Sequence, residues 1–316
     1  MLDKKDLRVI FMGTPEISAN ILEALLQDNY NVVGVYTQPD KKVGRKQVLQ
    51  KSPVKILAEK NSIPVFDPRR LDEDAIEKLR EQNPDLIVLI AYGKILPQVV
   101  LDLPRLGAVN IHPSLLPKFR GPSPIQSALL AGEKITGTTI MLMDAGIDTG
   151  DILQQEQIAI DDNETYFELE KKLTNISVKL LLETLPKLLA GQAEPQKQNG
   201  DEASYCKMIR KEEGQINWNA PAEIIFNKYR AFCNWPGIFT TWNGKRLKLN
   251  VIEITMDNLD AHEIGEVFRI DNTIFAQTGS GAIELKEVQL EGRPATKILD
   301  FSNGYKNFVG SILDLN

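Results

Sequence analysis

The sequence predicts an α/β fold in which a mainly parallel, Rossmann-like sheet is followed by a small OB-like β-barrel. Three observations predict it. Short β-rich runs alternate with helical patterns through the first half of the chain, several of those runs are continuously apolar, and the composition changes after a polar stretch beginning at Gly191. At 316 residues the chain exceeds what one core usually serves, so two domains are expected.

RVIFMG (8–13) is the first strand, and an amphipathic stretch from Glu16 to Leu26 is the helix that follows it. NVVGVYT (31–37) is the second strand. Helical patterns near 53–61 and 72–81 lead to DLIVLIAYG (85–93). Sheets built on this βαβ rhythm bind ligands at the carboxyl ends of their strands. GAVNIH (107–112) is a further strand, followed by a helix near 122–131 and a strand, TGTTIMLM, at 136–143. A helical pattern from about Thr165 to Ala190 closes the domain, with Pro186 a candidate kink and Gly191 a stop signal.

The stretch GQAEPQKQNGDEAS (191–204) holds no apolar cluster, as a linker would. The expected division is therefore a first domain over 1–190, to which the chemistry below belongs, a linker over 191–206 and a barrel over 207–316. Within the last part GIFTTW, RLKLNVIEI, IGEVFRI, TIFAQT and GAIELKEVQL lie between turn signals such as Asn243-Gly244, the pattern of a small antiparallel barrel.

A hydrophobic fraction of 42% and a charged fraction of 25% exclude disordered, collagen-like and coiled-coil chains. No run reaches the roughly 18 apolar residues of a membrane span. The start, MLDKKDLRVIF, lacks a signal peptide's apolar region, so the cytoplasm is the expected compartment and no membrane partner is expected. Cys206 and Cys233 have neither metal-ligand spacing nor the number for a disulfide framework; they are read as reduced thiols, and no metal is expected. The net charge of −6 excludes bulk attraction to nucleic acid and leaves only local patches.

One such locality is VNIHPSLLPKFRGPSPIQ (109–126). Asn110 and His112 are two apart at a strand end, so both face one side of the sheet while Val109 and Ile111 face the other. Pro113, Pro117 and Pro122 then prevent the strand from continuing and make a rigid irregular loop. Further on, DAGIDTGD (144–151) carries three carboxylates in a Gly-containing loop, of which Asp148 could pair with the imidazole. A lone strand-end His is more often structural than catalytic, and two of the three aspartates suit loop capping. An Asn, a His and an Asp without an obvious Ser or Cys nucleophile suit acyl transfer in which the substrate supplies the nucleophile, an amine. Asn and His would donate to the oxyanion, while Asp would orient His and favour its protonated form.

The run NIHPSLLPKFRGPSP, with DAGIDTGD downstream, resembles the formyltransferase family that uses 10-formyltetrahydrofolate. That resemblance implies the formyltransferase type of sheet, Asn110, His112 and Asp148 as the catalytic set, and Ser114, Leu115, Leu116 and Pro117 as folate contacts. It also implies a pterin pocket walled partly by IAYGKILP (90–97), with the folate as co-substrate and no metal.

The acceptor is read from QPDKKVGRKQVLQKSPVK (38–55). Between Lys41 and Lys55 lie Lys41, Lys42, Arg45, Lys46, Lys51 and Lys55, and no acidic residue. A basic loop is usually solvated surface, but one this long, overhanging the sheet edge that carries His112, exceeds what a connection needs. Together with FMGTPE, NWPGIFT and LEGRPA it resembles the family members that formylate initiator methionyl-tRNA. The resemblance implies tRNA contacts at Lys41, Lys42, Arg45, Lys46 and Lys51, a tRNA-binding barrel and a monomer acting in translation initiation. The barrel itself has 13 basic and 14 acidic residues, so its RNA surface would rest on clusters such as Lys207, Arg210, Lys211 or Lys245, Arg246, Lys248. The alternative enzymes are a formyltransferase for a nucleotide-linked amino sugar or other small amine, and a folate hydrolase. A non-catalytic nucleotide- or RNA-binding module is the alternative of another class. GTPE stands where a dinucleotide site would carry GxGxxG, which disfavours the nucleotide version.

Overall fold

The computed structural model describes residues 4–44, 47–255 and 262–314. The chain divides into two compact units. One holds Met1–Pro124, Ile135–Ala159 and Glu170–Lys207; the other holds Ile125–Lys134, Ile160–Leu169 and Met208–Asn316.

Along the chain come β1 (Val9–Gly13), α1 (Glu16–Gln27), β2 (Val32–Tyr36), β3 (Lys41–Val43), β4 (Val48–Gln50) and α2 (Pro53–Lys60). β5 (Val65–Phe66), α3 (Glu73–Glu81), β6 (Leu86–Ile90), α4 (Gln98–Leu101) and β7 (Ala108–His112) follow. Next are α5 (Pro124–Leu130), β8 (Ile135–Leu142), β9 (Ile152–Ala159) and α6 (Tyr166–Leu189).

The sheet of the first unit has the order β5-β2-β1-β6-β7-β8-β9. Strands from β5 to β7 run parallel, whereas β8 and β9 are antiparallel. Every residue of β1, β6 and β7 is buried, which is why these strands read as unbroken apolar runs. Val109 and Ile111 join the core on one face together with Val88 and Ile90, while Ile87, Leu89 and Ala108 join that on the other. Two helix starts are capped as their sequences dictate: Ser52 accepts from the Lys55 N–H, with Pro53 following, and Asp72 accepts from the Ala75 N–H.

The antiparallel edge explains what periodicity left unread. β9, ILQQEQIA, has no buried residue along its length and so lacks a continuous apolar signal. Within the basic stretch β3 pairs antiparallel with β4, Lys41 opposite Gln50 and Lys42 opposite Leu49. α6 passes through Pro186, and the Ala190 N–H still bonds the Pro186 carbonyl.

The second unit adds α7 (Ala222–Phe232), β10 (Ile238–Trp242), β11 (Lys245–Thr255), β12 (Val267–Ile270), β13 (Thr273–Gln277), β14 (Ala282–Leu290), β15 (Thr296–Lys297) and α8 (Ile298–Gly304). Its sheet is antiparallel in the order β10-β11-β14-β13-β12, with β15 on β14. The carboxyl-terminal segment covers strand edges: Val267 donates to Ser311 O at 2.8 Å and Asp314 to Thr241 O at 3.1 Å. Trp242 packs edge-on against Phe301, Tyr305 and Phe308 in its core. Among the described residues no helix is long and apolar enough to cross a membrane, and no group of three or more His, Cys, Asp or Glu could hold a metal ion.

Candidate active site

β7 ends at the carboxyl edge of the parallel sheet, between β6 and β8, and delivers Asn110 and His112 there, 6% and 4% exposed. The pleat that sends Val109 and Ile111 into the core sends these two side chains to the opposite face. Asp148 comes from the loop between β8 and β9. Its backbone is left-handed, with φ +52°, a conformation costly for a residue with a Cβ. Gly150 in the same loop has no room for a side chain, since a Cβ there would lie 1.7 Å from the Leu142 carbonyl oxygen.

Asp148 is the hub of the cluster. Its Oδ1 accepts from Asn110 Nδ2 at 3.3 Å, its Oδ2 accepts from the Gly121 backbone N–H at 2.8 Å, and His112 Nδ1 stands 3.6 Å from Oδ2. His112 Nε2 lies 2.9 Å from the Phe119 carbonyl oxygen. A carbonyl only accepts, so Nε2 carries a proton. At 3.6 Å the Nδ1 contact is an ion-pair distance rather than a hydrogen bond, so Nδ1 is the ring nitrogen that an incoming oxygen can engage. A ring that also held a proton at Nδ1 would be positively charged, and the Asp148 carboxylate stands where it would balance that charge. Asn110 engages one of its two amide protons among the described residues. The arrangement can therefore offer two donors to an oxygen that gains negative charge.

The loop after β7 is held from several sides. Ser114 and Leu116 are buried. Ser114 Oγ donates to Lys118 O at 2.7 Å, the Leu116 N–H donates to Thr139 Oγ1 at 3.1 Å, and Gln155 Nε2 donates to Leu116 O at 2.8 Å. Leu115 and Pro117 remain half-buried, so a ligand in this loop would meet those two side chains first. In the IAYGKILP stretch, Ala91 and Gly93 have positive φ, and Gln38 Nε2 fixes the turn by donating to Tyr92 O at 2.9 Å. Burial pushes the Tyr92 hydroxyl above, and the Lys94 ammonium below, their ordinary values.

The basic residues do not form one uniform patch. Lys41 and Lys42 are exposed on β3, beside the exposed apolar Val48 and Leu49 of β4. Lys51 is paired with Glu59, its Nζ 2.9 and 2.7 Å from the two oxygens, and Lys55 with Asp40 and Asp67 at 2.9 and 2.8 Å. The carboxylates of Asp67 and Asp40 hold Lys55 above the ordinary lysine value. Residues 41–55 contain no acid, but among the described residues acids outside that range pair with two of the lysines, Lys51 and Lys55. Arg45 and Lys46 lie outside the described residues. In the second unit Arg246 lies over the Phe239 ring at 4.1 Å.

Sequence reasoning missed the Phe119 carbonyl, the Gly121 N–H, Arg120 and Gln198. Phe119 (φ +59°) and Gly121 (φ +118°) present backbone atoms, which residue identity does not announce; only the Gly hinted at a special conformation. Gln198 lies in the stretch read as a linker, in a polar context without periodicity. That stretch bonds along the first unit, with Gln196 bridging to Ile152 and the Ser204 carbonyl accepting from the Arg120 N–H at 2.9 Å. A groove of about 690 Å³ lined by Phe66, Arg69, Arg70 and Lys78 contains none of the predicted residues.

Comparison with known proteins gives two family matches: residues 7–185 match the family described as formyl transferase, and residues 208–306 match formyl transferase, C-terminal domain. The chain is 47% identical to the methionyl-tRNA formyltransferase of Caldicellulosiruptor saccharolyticus, covering 96% of this chain and 99% of that one. It is 40% identical to the methionyl-tRNA formyltransferase of Caldanaerobacter subterraneus subsp. tengcongensis, covering 97% and 100%. Among solved structures, the N-formyltransferase of Helicobacter canadensis in complex with folinic acid and dTDP-3-aminofucose aligns with a TM-score of 0.67 at 21% identity, over 88% of this chain and 98% of that one. At that identity the likeness is one of fold.

Proposed function

The chain belongs to the formyl transferase family, and from that membership we propose that it transfers the formyl group of 10-formyltetrahydrofolate to the free amino group of initiator methionyl-tRNA. The similarity to methionyl-tRNA formyltransferases over 96% of the chain carries this reading. The clustering of Asn110, His112 and Asp148 supports the chemistry.

The neutral amine attacks the formyl carbon, and the carbonyl electrons move onto oxygen. Asn110 Nδ2 and His112 Nδ1 donate to that oxyanion. Asp148 holds the imidazole in register and balances its charge. As the tetrahedral intermediate collapses, the bond to the folate nitrogen breaks, the attacking nitrogen gives up a proton, and the folate nitrogen gains one. The nucleophile is an α-amino group with an ordinary pKa of about 8, so an appreciable neutral fraction exists near neutrality without a protein base. Leu115 and Pro117 would meet the folate, and Lys41 and Lys42 the tRNA backbone.

The test is a formyl-transfer assay with 10-formyltetrahydrofolate offered initiator methionyl-tRNA, elongator methionyl-tRNA and an amino sugar nucleotide in parallel. Preferential formylation of the initiator is expected; preference for the sugar nucleotide would overturn the acceptor assignment.

A further inference from the structure

The polar stretch after α6 contains a side chain whose amide is used at both ends. Gln198 Nε2 donates to the Asp148 carbonyl at 2.9 Å and the Gly150 carbonyl at 2.7 Å. Its Oε1 accepts from Arg120 Nε at 3.1 Å and Nη2 at 2.7 Å. Two donors and two acceptor positions account for the whole hydrogen-bonding capacity of a primary amide. Arg120 is buried, 5% exposed, and its remaining terminal nitrogen donates to Tyr205 Oη at 3.3 Å.

Both ends of this bridge bear on Asp148. Arg120 directly precedes Gly121, whose N–H holds the Asp148 carboxylate, while Gln198 holds the Asp148 main chain and that of Gly150. Asp148 needs such a restraint, because its left-handed backbone persists only where the surroundings over-determine it. Releasing the carbonyls would let the loop relax toward ordinary φ and carry the carboxylate away from His112.

We propose that Gln198 is a positioning residue for the reaction, acting through Asp148. It ties the β8–β9 loop to Arg120 so that the carboxylate stays within reach of both Asn110 and His112. The proposal rests on the reading that Asp148 belongs to the reaction centre. It also gives the stretch 191–206 a part in the site beyond connecting two units.

The chemistry separates this role from mere packing. Gln198→Glu keeps the size and can still accept from Arg120, but an ionised carboxylate has no proton to donate to the two carbonyls. Both Gln198→Glu and Gln198→Ala are therefore expected to lower kcat by roughly 10- to 100-fold, the scale of an ångström-level misplacement. The KM for initiator methionyl-tRNA should stay within about twofold. In an Asp148→Asn background, measured under single turnover, Gln198→Ala should add no further loss, because the residue it positions is already disabled. Thermal melts show whether each variant is folded, and Gln198→Glu serves where Gln198→Ala is not. Full kcat in Gln198→Glu, or losses that multiply in the double variant, would overturn the proposal while leaving the function intact. A wild-type protein that transfers no formyl group would overturn the function itself.

Discussion

The Gly121 backbone N–H and the Asp148 carboxylate are joined across 2.8 Å, which ties the Pro-rich loop after β7 to the Gly-rich loop after β8. The junction depends on glycine. At φ +118° a side chain is strained, and a Cβ on residue 121 would lie 2.4 Å from the Cys206 carbonyl oxygen. Gly121→Ala should therefore cost about 1–3 kcal/mol through its backbone conformation alone and also displace the N–H from Asp148. Stability in urea melts and kcat should fall together; an unchanged kcat would separate the junction from the chemistry.

Asn110 is expected to act through one amide proton. Asn110→Ala removes a donor to the oxyanion, and kcat should drop by roughly 10²–10³, with the KM for both substrates little changed. A raised KM at constant kcat, measured by steady-state kinetics, would place Asn110 in ground-state binding instead.

The lysines of the basic stretch should separate by their partners. Lys41→Ala with Lys42→Ala should weaken tRNA binding and reduce the salt slope of log K by about 0.9 for each duplex phosphate that is no longer neutralised. Lys51→Ala should change that slope less, because its ammonium already pairs with Glu59. Filter binding across a salt series reads both. A slope change for Lys51→Ala as large, per charge removed, as that of the double variant would contradict the distinction.

Acid stability offers a test away from the site. Burial alone would raise the Asp85 carboxyl, but the Arg8 N–H and the Arg105 guanidinium outweigh it and hold it below its ordinary value. A group whose folded pKa is depressed stabilises the fold above its unfolded value of 3.8, and that contribution is lost as pH falls through the folded value. Asp85→Asn should therefore lower the melting temperature at about pH 6, and the gap from wild type should close as pH drops below about 4. A gap that widens in acid would contradict the sign.

Much of the fold was legible because β1, β6 and β7 are buried on both faces and so announce themselves as apolar runs. β9 and the β3–β4 pair were not, since solvent-facing edge strands leave a weak pattern, and α7 lay hidden in a region read as strands alone. Asn110 and His112 were legible from their two-residue spacing at a strand end, and Asp148 from its Gly-rich loop. The Gly121 N–H, the Phe119 carbonyl and the Gln198 bridge were not, because backbone atoms and long-range hydrogen bonds have no signature in residue order. The pairing of Lys51 with Glu59 shows the same limit: a stretch without acids can still be neutralised by residues from a neighbouring helix.

The most direct measurement is the single-turnover rate of formyl transfer from 10-formyltetrahydrofolate to initiator methionyl-tRNA by wild type and by His112→Ala, with tRNA affinity measured alongside. The expected result is rapid transfer by the wild type, loss of nearly all transfer in the variant and unchanged tRNA affinity. A His112→Ala protein that transfers formyl as fast as wild type would contradict the proposed chemistry.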